Sequence, residues 1–257
     1  MREPGYIKKH LHYINYRVDQ IAPCLTRDDG KTDSAALFST IRYLSGGDAL
    51  PPDREPDVRH SLDDLKRLVD RWDIAADGDL LGYIYQRLKT ARSKKILGQY
   101  FTPPDIVDYI CKQTLKTDGD LRTMKVLDPS CGSGQFLIAA FRVFAESYAR
   151  QGVPAREAAR RIIADNLCGY DLDPVAVYIC HFNLMRISGV KDYKIYNIHE
   201  LNYIFVPIAA ICFVILLRIL FGNTLFFRIG FLIIIPCAGT AICAFFVNQG
   251  DGTIGAM

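Results

Sequence analysis

Residues 124–140, MKVLDPSCGSGQFLIAA, constrain the fold more than any other stretch of the chain. A short apolar run (Thr123 to Leu127) ends at Asp128, and the chain turns through Pro129, Gly132 and Gly134. A long apolar-patterned segment then runs to Arg150, so the pattern predicts strand, turn and helix. The pattern repeats: a short run from Leu167 to Tyr170, the turn DLDP, and a helix over Pro174–Ile187. Strands alternating with helices predict a parallel α/β sheet. In such a sheet the turns at the strand carboxyl ends border a crevice for nucleotide-like ligands, and glycine lets the backbone approach a ligand closely.

The rest of the first 202 residues reads as helices and connections. Residues 1–45 are weakly patterned helix, and GGDALPPDREP (46–56) has linker chemistry. SLDDLKRLVDRW opens a helix for which Ser61 is the expected cap and Asp64 the partner in a capping box. Asp77-Gly78 breaks it. DLLGYIYQRLKTARSKK reads as one further helix ending in a basic run, Arg87, Lys89, Arg92, Lys94 and Lys95. That run is expected to be a solvated helix end favoured by the dipole, with nucleic-acid contact as the alternative. Pro103 and Pro104 suit the first turn of a helix whose inward face is Ile106, Val107, Ile110 and Cys111, and Pro154–Asn166 reads as a basic amphipathic helix.

Charge sets limits on partners. With 31 Lys and Arg against 28 Asp and Glu, the net charge of +3 is too small for bulk attraction to nucleic acid, so any basic surface must be local. The eight cysteines include no CxxC pair and no histidine at a metal-like offset, which predicts reduced thiols and no metal. MREPGYIKKHLHY lacks the apolar core of a secretory signal, so the front of the chain is expected to be cytoplasmic.

Glycine spacing alone fits a tight turn or a ligand loop equally well. The flanking acids favour the ligand loop. Asp128 and Pro129 stand at the first strand end, where an acid suits a cationic or hydroxyl-bearing group better than a pyrophosphate. Asp171 stands at the second strand end, where it can accept from both ribose hydroxyls, and Leu172 beside it can pack on adenine. Asp173 is expected to cap the following helix, with Pro174 at its first position. Asp171 lies 37 residues after Gly134, against about 20 in dinucleotide fingerprints. That spacing disfavours a nicotinamide cofactor, and the absence of GxxxxGK[ST] removes the P-loop hydrolases.

The order GQYFTPP, VLDPSCGSGQFL, GYDLDP resembles the N6-adenine DNA methyltransferases of restriction–modification systems, of the large modification-subunit type. DLLGYIYQRL resembles the helix leading into that domain, and the resemblance covers about residues 78–200. It implies a Rossmann-like fold, S-adenosylmethionine as cofactor, and DNA as substrate, with a specificity or restriction subunit as partner. By position it assigns Gln99, Tyr100, Phe101, Thr102 and Pro103 to the loop closing over the methionine end. It assigns Asp128, Pro129, Gly132 and Gly134 to the methionine part, Asp171 to ribose and Leu172 to adenine. An acid on the third strand would contact the adenine amino group, which in KIYNIHELN falls on His199 or Glu200. The catalytic tetrapeptide, [DNS]-P-P-[YFW], which accepts from the target amino group and stacks the flipped base, does not occur in the chain. The resemblance therefore implies an incomplete or inactive form. A protein or RNA methyltransferase sharing the cofactor core is the alternative, against which the GQYFTPP loop argues.

After about residue 202 the character changes. Between Tyr203 and Gly250 the only charges are Arg218 and Arg228. The runs 203–217 and 229–247, joined around Gly222-Asn223-Thr224, predict a hydrophobic helical hairpin whose second run, at 19 residues, just spans a bilayer and whose first needs Ile219 to Phe221 to do so. A membrane hairpin, a frameshifted or fused reading after residue 202, and a buried core compete here; the last is disfavoured by the lack of any polar face. The expected chain is thus α/β: a helical region (1–90), a partial methyltransferase sheet (91–202), two hydrophobic helices able to reach the inner membrane (203–247) and a tail (248–257). With the hairpin inserted, the chain would instead be a membrane-anchored, non-catalytic cofactor-binding or interaction protein.

Overall fold

In the computed structural model the described residues are 6–47, 56–97, 102–115, 121–192 and 196–200, with two strands at 232–234 and 243–248. They form two compact units that divide between residues 101 and 102.

The first unit is helical: α1 (Tyr6–Ile21), α2 (Ser34–Leu44), α3 (Pro56–Arg71), the single turn α4 (Ile74–Asp77), α5 (Leu80–Leu88) and α6 (Ala91–Leu97). Ile14, Val18 and Ile21 of α1, Leu37 and Ile41 of α2, and Leu62, Leu65 and Val69 of α3 form its core. Two expectations are corrected here. Helix α3 starts at Pro56, so Ser61 lies inside the helix and is buried rather than capping it. Asp64 pairs with Arg17 of α1 and with Arg67 instead of completing a capping box. The basic segment is also two helices rather than one. The Thr90 amide donates to Thr32 Oγ1 (2.9 Å), and the Thr32 amide donates to Ser93 Oγ (2.8 Å). These bonds to a distant turn take the place of the helical bonds that would have carried α5 into α6. Asp79, which is buried, caps α5 by accepting from the Gly82 amide at 2.7 Å.

The second unit contains α7 (Pro104–Thr114), β1 (Lys125–Asp128), α8 (Gln135–Arg150), α9 (Ala155–Arg161), a π-helical turn (Ile162–Asn166), β2 (Leu167–Asp171), α10 (Pro174–Ser188), β3 (Asn197–Glu200), β4 (Leu232–Ile234) and β5 (Cys243–Asn248). The strand order is β3-β2-β1-β5-β4. The pairs β1–β2 and β2–β3 are parallel, as the alternation of strands and helices requires, and β1–β5 and β4–β5 are antiparallel. Leu137, Ala140 and Phe144 of α8 pack with Val126, Ile162, Ile179 and Leu184 in the core. Asn166 links the start of β2 to the approach to β1. Its Nδ2 donates to Met124 O at 2.7 Å, and its Oδ1 accepts from Tyr148 OH at 3.2 Å.

The tail departs from expectation. Where a helix over 229–247 was predicted, residues 232–234 and 243–248 are strands. A charge-free apolar run carries no period that separates a buried strand from a helix, so pairing decides. The first run, 203–217, and the turn at 222–224 lie outside the described residues. Among the described residues no helix is long and apolar enough to cross a membrane.

Candidate functional site

The parallel register places Asp128 opposite Gly169, so β2 continues two residues past the end of β1 and carries Asp171 to the turn that follows β1. That turn is held at several points. The Cys131 amide donates to Tyr170 O (2.8 Å), and the Gly132 amide donates to Asp171 Oδ2 (2.8 Å). Asn183 Nδ2 of α10 donates to Ser133 O at 2.9 Å.

Gly132 (φ +54°) and Gly134 (φ +90°) adopt the left-handed conformation that side chains disfavour. Gly134 has a second constraint: a Cβ there would stand 2.7 Å from Cys180 Sγ on α10. Its lack of a side chain is therefore demanded by packing inside the unit, before any ligand is considered. Gly169 on β2 is equally confined, since its Cβ would lie 2.8 Å from Leu137 Cδ1.

The two acids differ in setting. Asp128 is 0% exposed; its Oδ1 accepts from the Ser130 amide at 3.1 Å, and its Oδ2 is buried with no hydrogen-bond partner. Burial, helped by the charge of Asp171 and opposed by the Ser130 N–H, pushes its carboxyl up to about 7. It thus lies beneath the turn rather than on its open side. Asp171 is 9% exposed, and burial raises its carboxyl despite amide donors from Asp173, Gly132 and Leu172. Leu172 beside it is 36% exposed, an apolar side chain at the rim. Asp173 caps α10 as expected, accepting from the Val175 amide at 2.9 Å, with Pro174 in the first turn.

On the third strand Asp171 pairs with Glu200, and Tyr170 with His199. Residues opposite one another in a sheet project to the same face, so Glu200 shares the face of Asp171. His199 instead sets its ring 5.4 Å from that of Tyr170. Of Gln99, Tyr100, Phe101, Thr102 and Pro103, the first three lie outside the described residues. Thr102 is half-buried and Pro103 is the exposed N-cap of α7. On α7, Val107 and Cys111 face inward as expected, whereas Ile106 is 48% exposed. Cys111 Sγ lies 3.9 Å from Phe136 O in the first turn of α8, and burial pushes its thiol up to about 12.

Sequence reasoning gave no sign of the thiol pair under the turn. Cys131 and Cys180 are both buried, and Cys131 Sγ lies 3.8 Å from Gly132 O; the neighbouring Cys180 thiol and burial push the Cys131 thiol up. Among the described residues no group of His, Cys, Asp and Glu is arranged to hold a metal ion.

A mixed sheet whose three parallel strands carry a glycine turn after β1 and an acid at the end of β2 defines an α/β fold of the kind that binds nucleoside-bearing ligands at its strand ends. More particularly, residues 76–203 match the family described as N-6 DNA Methylase, and this segment belongs to that family. The chain is 31% identical over 133 residues to the adenine-specific methyltransferase PglX of Streptomyces coelicolor, covering 46% of this chain and 11% of that protein. It is 36% identical over 87 residues to PglX of Lacticaseibacillus casei, covering 34% and 7%. It is 33% identical over 73 residues to the adenine-specific methyltransferase BrxX of Escherichia coli O9:H4, covering 28% and 6%. The matched segment thus spans at most about a tenth of the length of these relatives.

Proposed function

We propose that residues 102–200 bind S-adenosylmethionine at the carboxyl ends of β1, β2 and β3, as the cofactor half of an adenine-N6 DNA methyltransferase. The observation that carries this reading is Asp171, which ends β2 and grips the Gly132 amide of the glycine turn. Its carboxylate accepts from the amides of Gly132, Asp173 and Leu172. A carboxylate offers about four acceptor sites, so a ribose hydroxyl joins a carboxylate already locked in place. Leu172, exposed at the rim, packs on adenine, and Glu200, in register with Asp171, accepts from the adenine amino group.

The backbone of Pro129, Ser130 and Gly132, which are only half-buried, would hold the methionine part. Gly134 sets the turn and the start of α8. Asp128 holds the turn from below through the Ser130 amide, and its unpartnered Oδ2 would offer an acceptor for the cofactor's ammonium group. By the family resemblance, Gln99, Tyr100, Phe101, Thr102 and Pro103 would be assigned to the methionine end. When bound, S-adenosylmethionine supplies a methyl group on a positively charged sulfur. The protein's part is to orient it toward a flipped-out adenine. DNA is the substrate in this reading, and a specificity or restriction subunit is a natural partner.

Calorimetric titration of the 257-residue chain with S-adenosylmethionine, S-adenosylhomocysteine and NAD tests the proposal. Binding of the first two and not of NAD, lost in Asp171→Ala, is the expected result. Binding of NAD, or unchanged affinity in Asp171→Ala, overturns it.

A further inference from the structure

The glycine turn holds two buried oxygens with no hydrogen-bond partner among the described residues: Asp128 Oδ2 and Ser133 Oγ, each in a residue that is 0% exposed. Buried polar atoms are almost always paired, so each exception calls for a functional account.

Two carboxylates flank this turn, and the donors around them are unequal. Asp171 accepts from the Gly132 amide through Oδ2 and from the Asp173 amide through Oδ1, both at 2.8 Å. Asp128 accepts from the Ser130 amide alone, at 3.1 Å. Hydrogen bonds hold a carboxylate in its charged form, whereas burial and a like charge favour the neutral acid. When two acids share a site, these differences decide which one takes the proton. Asp128 is wholly buried, has one donor and feels the charge of Asp171 across the turn, so it is the acid that holds a proton.

Among the described residues no cation is paired with Asp128. Cys131 of the turn and Cys111 of α7 face it as buried thiols, and Cys180 of α10 neighbours Cys131. Arg142 of α8 reaches toward Asp108 of α7, at 4.0 Å. A positive charge over the turn would reverse the balance. An opposite charge within about 4–6 Å makes a carboxyl about 10- to 1,000-fold more acidic. It acts through space, so Asp128 responds without coming to the surface. Resting on the cofactor reading above, we infer that Asp128 makes this site proton-linked: a ligand whose ammonium group lies over the glycine turn draws the proton off Asp128, and the proton leaves to solvent. Such a ligand binds more weakly as pH falls, because acid restores the proton that binding must expel.

The test is calorimetric titration of the full chain at about pH 5.5, 6.5 and 7.5, each in two buffers of different ionisation enthalpy. The ligands are S-adenosylhomocysteine and 5′-methylthioadenosine, which keeps the adenosine and the sulfur but lacks the amino-acid ammonium. With the Asp128 carboxyl at about 7 in the free protein, S-adenosylhomocysteine should bind about 5- to 20-fold more weakly at pH 5.5 than at pH 7.5. It should release about half a proton or more at pH 6.5, seen as a binding enthalpy that differs between the buffers. Both effects should be at least halved for 5′-methylthioadenosine. Asp171 and the histidines of the third-strand side, His181 and His199, act on both ligands alike, so the difference belongs to the ammonium group. Asp128→Asn has the shape of the neutral acid and should hold S-adenosylhomocysteine at all three pH values about as weakly as the parent does at pH 5.5, with circular dichroism showing the fold intact. The buffer comparison on the parent stands without the variant. Equal pH responses of the two ligands, a binding enthalpy unaffected by buffer at pH 6.5, or a parent-like pH response in folded Asp128→Asn overturns the proposal and leaves the cofactor reading standing. Failure of both ligands to bind at any pH removes both.

Discussion

Asp171 Oδ2 accepts from the Gly132 amide at 2.8 Å, so one carboxylate at the end of β2 fixes the turn that follows β1. Two residues on, Asp173 makes a bond of the same kind with a different purpose, accepting from the Val175 amide to cap α10. On the proposed reading Asp171 also meets the cofactor, whereas Asp173 serves folding alone, and variants of the two can be compared. Asp171→Asn keeps the shape but leaves one accepting oxygen where Asp171 uses two, for the amides of Gly132 and Asp173, so it loses the charge and one of these bonds; a charge-assisted hydrogen bond is worth about 1.5–3 kcal/mol. Calorimetry should show S-adenosylmethionine bound about 10- to 100-fold more weakly. Asp173→Ala should cost about 1 kcal/mol of stability through the lost cap, seen in thermal denaturation, with cofactor affinity near that of the parent. Equal losses of affinity in the two variants would contradict this division.

Gly134 is held by two constraints that mutagenesis can pull apart. Gly134→Ala places a Cβ 2.7 Å from Cys180 Sγ at a φ of +90°. Overpacking of this kind costs about 1–3 kcal/mol, and the backbone conformation adds about 1 kcal/mol. Chemical denaturation of Gly134→Ala, Cys180→Ala and the double variant forms a cycle. The double variant should recover the packing part and keep the backbone part, giving a favourable coupling. Additive losses would show that the sulfur is not the obstacle.

Asp128 should leave a signature in the pH dependence of stability. Its carboxyl, raised to about 7 by burial, holds its proton more tightly folded than unfolded. Below about pH 4 both states are protonated and the group costs nothing. From about pH 4 to 7 the unfolded chain ionises while the folded carboxyl does not, so stability falls as pH rises, and above 7 the cost is constant. Asp128→Asn removes the titration. The stability of the variant relative to the parent should climb from pH 4 to 7 and then level off, with a ceiling of about 4 kcal/mol. A flat difference across that window would mean that Asp128 ionises as freely folded as unfolded.

Cofactor binding should not bring methyl transfer with it. These 257 residues contain no [DNS]-P-P-[YFW] to accept from the target amino group and stack the base. Incubation with radiolabelled S-adenosylmethionine and duplex DNA should give no label in adenine above a protein-free control. Incorporation would show that other residues carry the chemistry.

Local patterns determined much of this protein. A short apolar run that ends in an acid and a turn and is followed by a helical pattern reads as a strand entering a helix, so β1, α8, β2 and α10 were legible, as was the cap at Asp173. The order of three motifs was enough to identify the family of residues 76–203. Tertiary structure decided whatever depended on a residue distant in sequence. Ser61 reads as a cap until α3 begins at Pro56 and buries it. Lys89 reads as a solvated charge until Tyr85 takes its ammonium in the interior. That Glu200, and not His199, stands opposite Asp171 needed the register of β3 on β2. Residues 232–234 and 243–248 are strands where the apolar run suggested helix, because hydrophobicity reports burial and not the partner that shapes it. Gly134 shows the division most plainly: the sequence marks a turn, and only Cys180, packed against it from α10, explains why no side chain fits there.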